Sequence, residues 1–536
     1  MIDPIEGVNA SVSLHVSATG NYFEPRLGSS LIAGASLGYW WLSAIALKIF
    51  GWEEFAVRFF SALSGLAMIF LSALSAKRFP DDNSRKSWLA ASISASMTIC
   101  FVASQIASPN SLLAFLASMI MFGLVKSMSE DNSNWLMFAH VGIILSFVLK
   151  GYDTLVLAVL AVLIFCCVLN DYNLLVKFLC YMPGIVTSIL SIGIYLIMLI
   201  AMNPLILHFM RCEPPDLPAL GVFGGLTFVL GSFMPWQGFI IRAIYEVMSR
   251  AKYFIEANRL ESEFESEAGE SAGYGFEQKF ADDQEVFDRK VFYQRFFLIV
   301  WAMIFGIAAI LTGNFLSLAS CVVPFAALLG DVLDAWLSRE RILSVGMSLL
   351  IDVPLIFVNI FVILPLGIIF VPILRASVIS LVPWAGIVIL FVIAAWYYAK
   401  TRQILKWSRN VMALALFALM PLSGVIDLVA EVSSIRVQGL AIQKLVQKDD
   451  VIVQYYENHP SMFFYTYRDS SLVNAPLLPG VAQRKFVTNE QTLSALWRGK
   501  ARVFLLLPAE RQLDKVLPAN VTSIAQTDSH LLLSNK

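Results

Sequence analysis

An alternation constrains this chain more than any other feature. Long apolar runs alternate with short polar ones up to about residue 430, and the composition then becomes ordinary. A bilayer core is crossed by about 20 apolar residues in helical form. Runs of that kind at roughly 56–77, 87–105, 111–127, 134–149, 152–168, 177–201, 218–247, 294–313, 316–337, 343–372, 376–399 and 409–430 predict twelve transmembrane helices. Of the 536 residues 58% are hydrophobic and 14% charged, and mean hydropathy is +0.72. Soluble domains carry about 25% charge. The expected fold class is a polytopic α-helical membrane protein with a small C-terminal α/β soluble domain. A formal net charge of −1 gives no basic field, which argues against a nucleic-acid partner. Six cysteines (100, 166, 167, 180, 212 and 321) lie in or beside apolar segments without metal-ligand spacing, so free thiols are expected.

Positive charge sets orientation. Lys77, Arg78, Arg85 and Lys86, then Lys126, Lys177, the basic residues of loop 248–293, Arg339 and Arg341, and Lys400 to Arg409 fall in alternate connections. The connections between them hold only Lys150, Arg211 and Arg375. The basic set is therefore expected on the cytoplasmic side. That divides the chain into an outer-face segment with interfacial helices (1–55), a transmembrane domain (56–430) and an extracytoplasmic α/β domain (431–536). Loop 248–293 carries ten acids between Glu261 and Asp288 and reads as a solvated cytoplasmic loop. Residues 29–51, with Tyr39-Trp40-Trp41 at their centre, read as a helix in the outer interface. An outside N-terminal segment needs either a short tail carried across by the first span or a further helix before Met1; the second is expected. In the tail, 451–456 and 462–467 read as strands with His459-Pro460 in the turn between them, 490–499 as a helix, 501–508 as a strand, 509–517 as a second helix, and the last two segments as strands. His459 and His530 read as solvated side chains.

Chemistry should collect on outer-face loops held by rigid helices. The segment before residue 29 carries Asp3, Glu6, Glu24 and Arg26; a carboxylate there could act as general base or bind a metal, or the segment is a solvated amphipathic helix. Ser108-Pro109-Asn110 reads as a turn. Lys150 could hold a lipid phosphate as a point charge or snorkel to headgroups. Met234-Pro235-Trp236 reads as a kinked helix near the interface.

Asp3-Pro4-Ile5-Glu6-Gly7, Gly20 to Leu27, Gly38-Tyr39-Trp40 and Phe50-Gly51…Glu54-Phe55-Ala56-Val57-Arg58 resemble the opening of the family of protein O-mannosyltransferases and lipid A aminoarabinose transferases. These are GT-C transferases that use polyprenyl-phosphate sugars. Ala107 to Phe115, Leu149-Lys150-Gly151 and Gly231 to Trp236 follow in the family's order, and the C-terminal α/β domain resembles that of the aminoarabinose branch. The resemblance implies a GT-C-like fold of about twelve transmembrane helices. The implied activity is glycosyl transfer from a polyprenyl-phosphate sugar to a lipid or protein acceptor at the outer face of a bacterial inner membrane. Its partners are then the lipid-linked sugar, that acceptor and membrane lipids. It implies Glu6 and Asp3 as catalytic carboxylates, Lys150, Arg26, Arg58, Asn110 and Tyr39 as lipid-phosphate or substrate contacts, and a divalent metal ion as candidate cofactor. The chain departs from the pattern where Ile5-Glu6 stands for Asp-Glu, where Asn110 replaces an acid, and where Ala33-Gly34-Ala35 and Thr312-Gly313-Asn314-Phe315 replace lysine-bearing loops. Lys150 is what remains of the expected lysines. The alternative is a catalytically impaired relative that binds lipid-linked sugar or scaffolds envelope-glycan assembly. A transporter is ranked last, because the apolar spans hold few charges, chiefly Asp352 and Asp427, and no inverted repeat is evident.

Overall fold

A computed structural model describes residues 1–202 apart from 2, 33–36 and 78–83; 228–251 apart from 230 and 235; 283–338; single positions between 390 and 413; and 434–536 apart from 479–486, 510–520 and 528. The chain opens with α1 (Ile5–Thr19), a short β1–β2 hairpin (Arg26–Leu27 with Ser30–Leu31) and α2 (Leu37–Phe50). Then come α3 (Glu54–Ala76), α4 (Ser84–Ser96), α5 (Thr98–Gln105), α6 (Pro109–Glu130), α7 (Leu136–Lys150), α8 (Asp153–Leu169), α9 (Asn173–Cys180) and α10 (Met182–Met202). Residues 237–251 are helical, and α11 (Asp283–Thr312) and α12 (Val322–Ser338) follow.

Among the described residues, six helices are long and apolar enough to cross a bilayer: Glu54–Ala76, Pro109–Glu130, Ser133–Lys150, Met182–Met202, Arg289–Thr312 and Phe315–Trp336. A seventh results if Arg85–Ser96 and Thr98–Gln105, bent by 58°, form one broken span. The chain is a multi-pass membrane protein. The expected spans 343–372, 376–399 and 409–430, the acidic stretch 261–282, Cys212, Asp352 and Asp427 lie wholly or mostly outside the described residues.

The bend between α4 and α5 has a local cause. Met97 leaves the helical region at φ −71°, ψ 125°. The freed Thr98 N–H donates to the Met234 carbonyl at 3.3 Å, and Trp236 Nε1 donates to Ser96 Oγ at 2.9 Å. Broken backbone at membrane depth is tolerated where a neighbouring segment satisfies it in this way. Charge is buried as well. Asp331 on α12 is 2% exposed and receives Lys86 Nζ at 3.0 Å and Arg295 Nε at 2.7 Å. Asp334, one turn on, pairs with Arg85. This ionic lock ties α4, α11 and α12 together.

Helix α1 is buried, not solvated. Its small residues let it approach its neighbours closely: a Cβ on Gly7 would lie 2.7 Å from the Ser461 backbone nitrogen. Tyr39 and Trp40 of α2 are fully buried, because α2 packs against α1, α3 and α7.

The C-terminal unit is a six-stranded mixed sheet in the order β5-β4-β3-β6-β8-β7, from β3 (Val451–Tyr455), β4 (Ser470–Val473), β5 (Val487–Thr488), β6 (Val503–Pro508), β7 (Thr522–Gln526) and β8 (His530–Ser534). Helices α13 (Arg436–Leu445), α14 (Ser461–Thr466) and α15 (Glu490–Arg498) accompany it. Segment 462–467 is thus a helix, not a strand. Pro460 sits in helical geometry at its N-cap and Tyr467 closes it in the left-handed region, so the aromatic run pairs by turns instead of alternating. The helix expected over 509–517 lies outside the described residues save for its first residue.

Candidate functional site

The segment 106–110 between α5 and α6 is where the N-terminal residues meet. Ser108 caps α6 by accepting from the Asn110 backbone N–H, with Pro109 as first helical residue, so Ser108-Pro109-Asn110 is a helix start and not a free turn. Glu6 is fully buried. It accepts Arg58 Nε at 2.8 Å and Nη2 at 2.6 Å, and the Ala107 backbone N–H at 2.8 Å. Asn9, one turn on, donates to the Ala107 carbonyl at 2.9 Å and accepts from Trp40 Nε1 at 2.9 Å. Tyr39 Oη lies 3.2 Å from Ser61 Oγ, which donates to the Ser108 carbonyl at 3.2 Å. Asn110 Oδ1 accepts from Asn314 Nδ2 at 3.1 Å. The segments around Asn110 and Asn314, two places where the resemblance leads one to expect charged residues, therefore touch, amide to amide.

Glu6, Arg58, Tyr39 and Asn110 are thus brought to one locus. Lys150 closes α7 just beyond the point where Leu149 and Val148 press on Gly38, whose added Cβ would lie 2.9 Å from the Val148 carbonyl. Arg26 lies elsewhere. It pairs with Glu24 at 3.1 Å and lines an open cleft of about 430 Å³ with His15, Asn21, Phe463, Tyr467 and Asp469. Burial, then the Arg26 charge, lowers His15 below its ordinary value.

Asp3 turns to the C-terminal unit. It accepts the Ser461 backbone N–H at 3.2 Å and the Ser461 hydroxyl, and its Oδ2 lies 3.4 Å from His459 Nδ1. Beyond that ring, Glu457 Oε2 sits 3.0 Å from Nε2 of both His459 and His530. The two histidines are buried, not solvated, at 8% and 3% exposure. Burial alone would lower His459, but the Asp3 and Glu457 carboxylates at its two nitrogens raise it to about 9. The same imidazoles hold the Glu457 carboxyl down to about 2. A second junction carboxylate, Glu54, accepts Tyr465 Oη at 2.7 Å and faces Arg436 at 3.6 Å and Arg58 at 3.9 Å.

Asp3 and Glu6 do not fit a divalent ion. A guanidinium occupies both Glu6 oxygens and repels a second cation, and both Asp3 oxygens accept hydrogen bonds from Ser461. Glu457 and the Asp331–Asp334 pair carry no mark in the sequence motifs, and Glu54 stands there only as part of the Phe50 to Arg58 segment. Two acids at i, i+3 in an apolar run were the available signal for the Asp331–Asp334 pair.

Three comparisons bear on this arrangement. The sequence model of the family described as dolichyl-phosphate-mannose-protein mannosyltransferase matches residues 35–209. A sequence search of curated proteins returned no match. Among solved structures, ArnT from Cupriavidus metallidurans in the apo state aligns over 100% of this chain and 94% of its own, at TM-score 0.73 and 15% identity. The same protein bound to undecaprenyl phosphate aligns over the same shares at TM-score 0.69 and 15% identity. The family match over residues 35–209 and the whole-chain fold match agree with each other and with the order of the N-terminal segments, and the chain accordingly has an ArnT-like GT-C fold whose residues 35–209 are similar to the mannosyltransferase family.

Proposed function

We propose that this protein is a membrane glycosyltransferase that moves a sugar from a polyprenyl-phosphate carrier to a lipid or protein acceptor at the outer face of a bacterial inner membrane. The observation that carries the reading is the whole-chain likeness to an ArnT bound to undecaprenyl phosphate. In this reading the C-terminal domain is extracytoplasmic. The departing lipid phosphate is met by cations, with Lys150 and Arg58 as candidates, because fixed positive charge stabilises the leaving group most where water is excluded. Arg58 has a dual task. Its side chain is 27% exposed while Glu6 is sealed beneath it. If a phosphate draws the guanidinium away, Glu6 loses its paired charge and becomes the carboxylate placed to take the acceptor proton. Tyr39 and Asn110 brace the same locus.

A second reading has its own observation. Glu6 and Asp3 both have their oxygens engaged by protein donors, which fits a relative that binds lipid-linked sugar, or scaffolds envelope-glycan assembly, without transferring it. The test uses the full chain in nanodiscs with radiolabelled polyprenyl-phosphate sugar. Transfer in the parent that is lost in Glu6→Gln supports the enzyme. Saturable binding, weakened roughly 10-fold in Lys150→Ala as one charge-assisted contact is lost, with no transfer by the parent supports the binder. Neither binding nor transfer removes both readings.

A further inference from the structure

We propose that Glu457, His459 and His530 form a binding site for one divalent transition-metal ion of the zinc type, a site independent of the transfer reading. The three ligand atoms lie within 4.8 Å of one another, with Glu457 Oε2 at 3.0 Å from each Nε2. Around zinc, with ligands at about 2.0–2.2 Å, tetrahedral neighbours stand about 3.3 Å apart, so each carboxylate–imidazole pair opens by a few tenths of an ångström while the two imidazole nitrogens settle to that same spacing. The set is of the right chemistry: two imidazole nitrogens and one carboxylate, the fourth position left to water.

The surroundings aim the ligands. His459 turns Nδ1 to Asp3 Oδ2 at 3.4 Å, and His530 turns Nδ1 to Ser529 Oγ at 2.8 Å. A ligating histidine is commonly held this way, its second nitrogen directed at an oxygen so that the first presents its lone pair. The rings meet nearly edge to face, 4.8 Å apart at 84°. They are fixed by separate pieces of backbone: His459 lies in the loop after β3, and His530 opens β8. Glu457, 43% exposed in its side chain, gives the site its open side. Without a cation, the three atoms can face one another only if each Nε2 carries a proton. Such an ion fixes the imidazole that faces Asp3, and so braces the junction of the N-terminal segment with the sheet.

The experiment is titration of the chelator-treated full chain in detergent with Zn²⁺ alone, and with Co²⁺ alone as a spectroscopic probe. One equivalent is expected to bind. Glu457→Gln and His530→Gln should weaken binding at least 10-fold, and Asp3→Asn about 10–100-fold at unchanged stoichiometry, as outer-sphere partners do. X-ray absorption of the Co²⁺-loaded parent, which does not depend on any variant folding, should show two histidine nitrogens. A folded parent that binds no stoichiometric metal, lacks that histidine signature, or is matched by both glutamine variants overturns the site, leaving a carboxylate held by two N–H donors.

Discussion

Replacing Glu6 and Arg58 singly and together tests whether their pair is a staple. Glu6→Gln keeps the shape and can still accept the Ala107 N–H, while Arg58 stays 27% exposed and keeps Glu54 at 3.9 Å. The loss is one charge-assisted interaction, about 1.5–3 kcal/mol, at the low end because Arg58 remains hydrated. Arg58→Met is worse. It takes both guanidinium hydrogen bonds from a fully buried carboxylate that still accepts the Ala107 N–H, and breaking a buried pair on one side costs about 3–5 kcal/mol. The double variant removes both charges and should be more stable than Arg58→Met alone, a coupling of at least about 1 kcal/mol. Equilibrium unfolding in mixed micelles, followed by tryptophan fluorescence, reads all three. Equal losses for the two single variants, or a double variant that is simply their sum, would refute the reasoning.

Three further outcomes follow from the geometry. Asp331→Asn leaves Lys86 and Arg295 without their shared carboxylate and should cost about 3–5 kcal/mol in the same assay, whereas a change below about 0.5 kcal/mol would show that the lock carries no stability. Gly38→Ala puts a methyl 2.9 Å from the Val148 carbonyl and 3.0 Å from Leu149 Cα, both backbone, and should cost about 1–3 kcal/mol, with sugar transfer or binding lowered through the displaced end of α7. His15 has a folded value below its ordinary 6.5, so its contribution to stability is full above that value and lost as pH falls through it. His15→Gln should therefore flatten the fall in stability as pH drops below 6.5, and an unchanged slope would sink that assignment.

The helices were legible because bilayer length and apolar periodicity are local properties. Spans such as Glu54–Ala76 and Pro109–Glu130 stand within about three residues of where hydropathy puts them. What escaped was set by tertiary contact. Segment 462–467 has strand composition, but Pro460 and burial against α1 and α13 make it helical. The N-terminal helix read as solvated because its polar residues are small; Asn9 and Ser11 point into protein and find their partners at Ala107 and Pro460. At the candidate site, sequence order named Glu6, Arg58, Tyr39 and Asn110, but not that Arg58 closes over Glu6. His459 and His530 stand 71 residues apart in the chain, from 530 minus 459, so only the fold brings their rings together.

The burial of α1 has a consequence for biogenesis. Ser11 is completed by Pro460, 449 residues later, and Asp3 by Ser461, 458 residues later. At about 5–20 residues per second, ribosomal synthesis takes roughly 20–90 s to cover that distance. Throughout, an N-terminal segment bearing Asp3 and Ser11 waits with its last partners unmade. A polysome-stalled or C-terminally truncated chain should therefore be a preferred substrate for membrane quality control, even with every transmembrane helix already inserted.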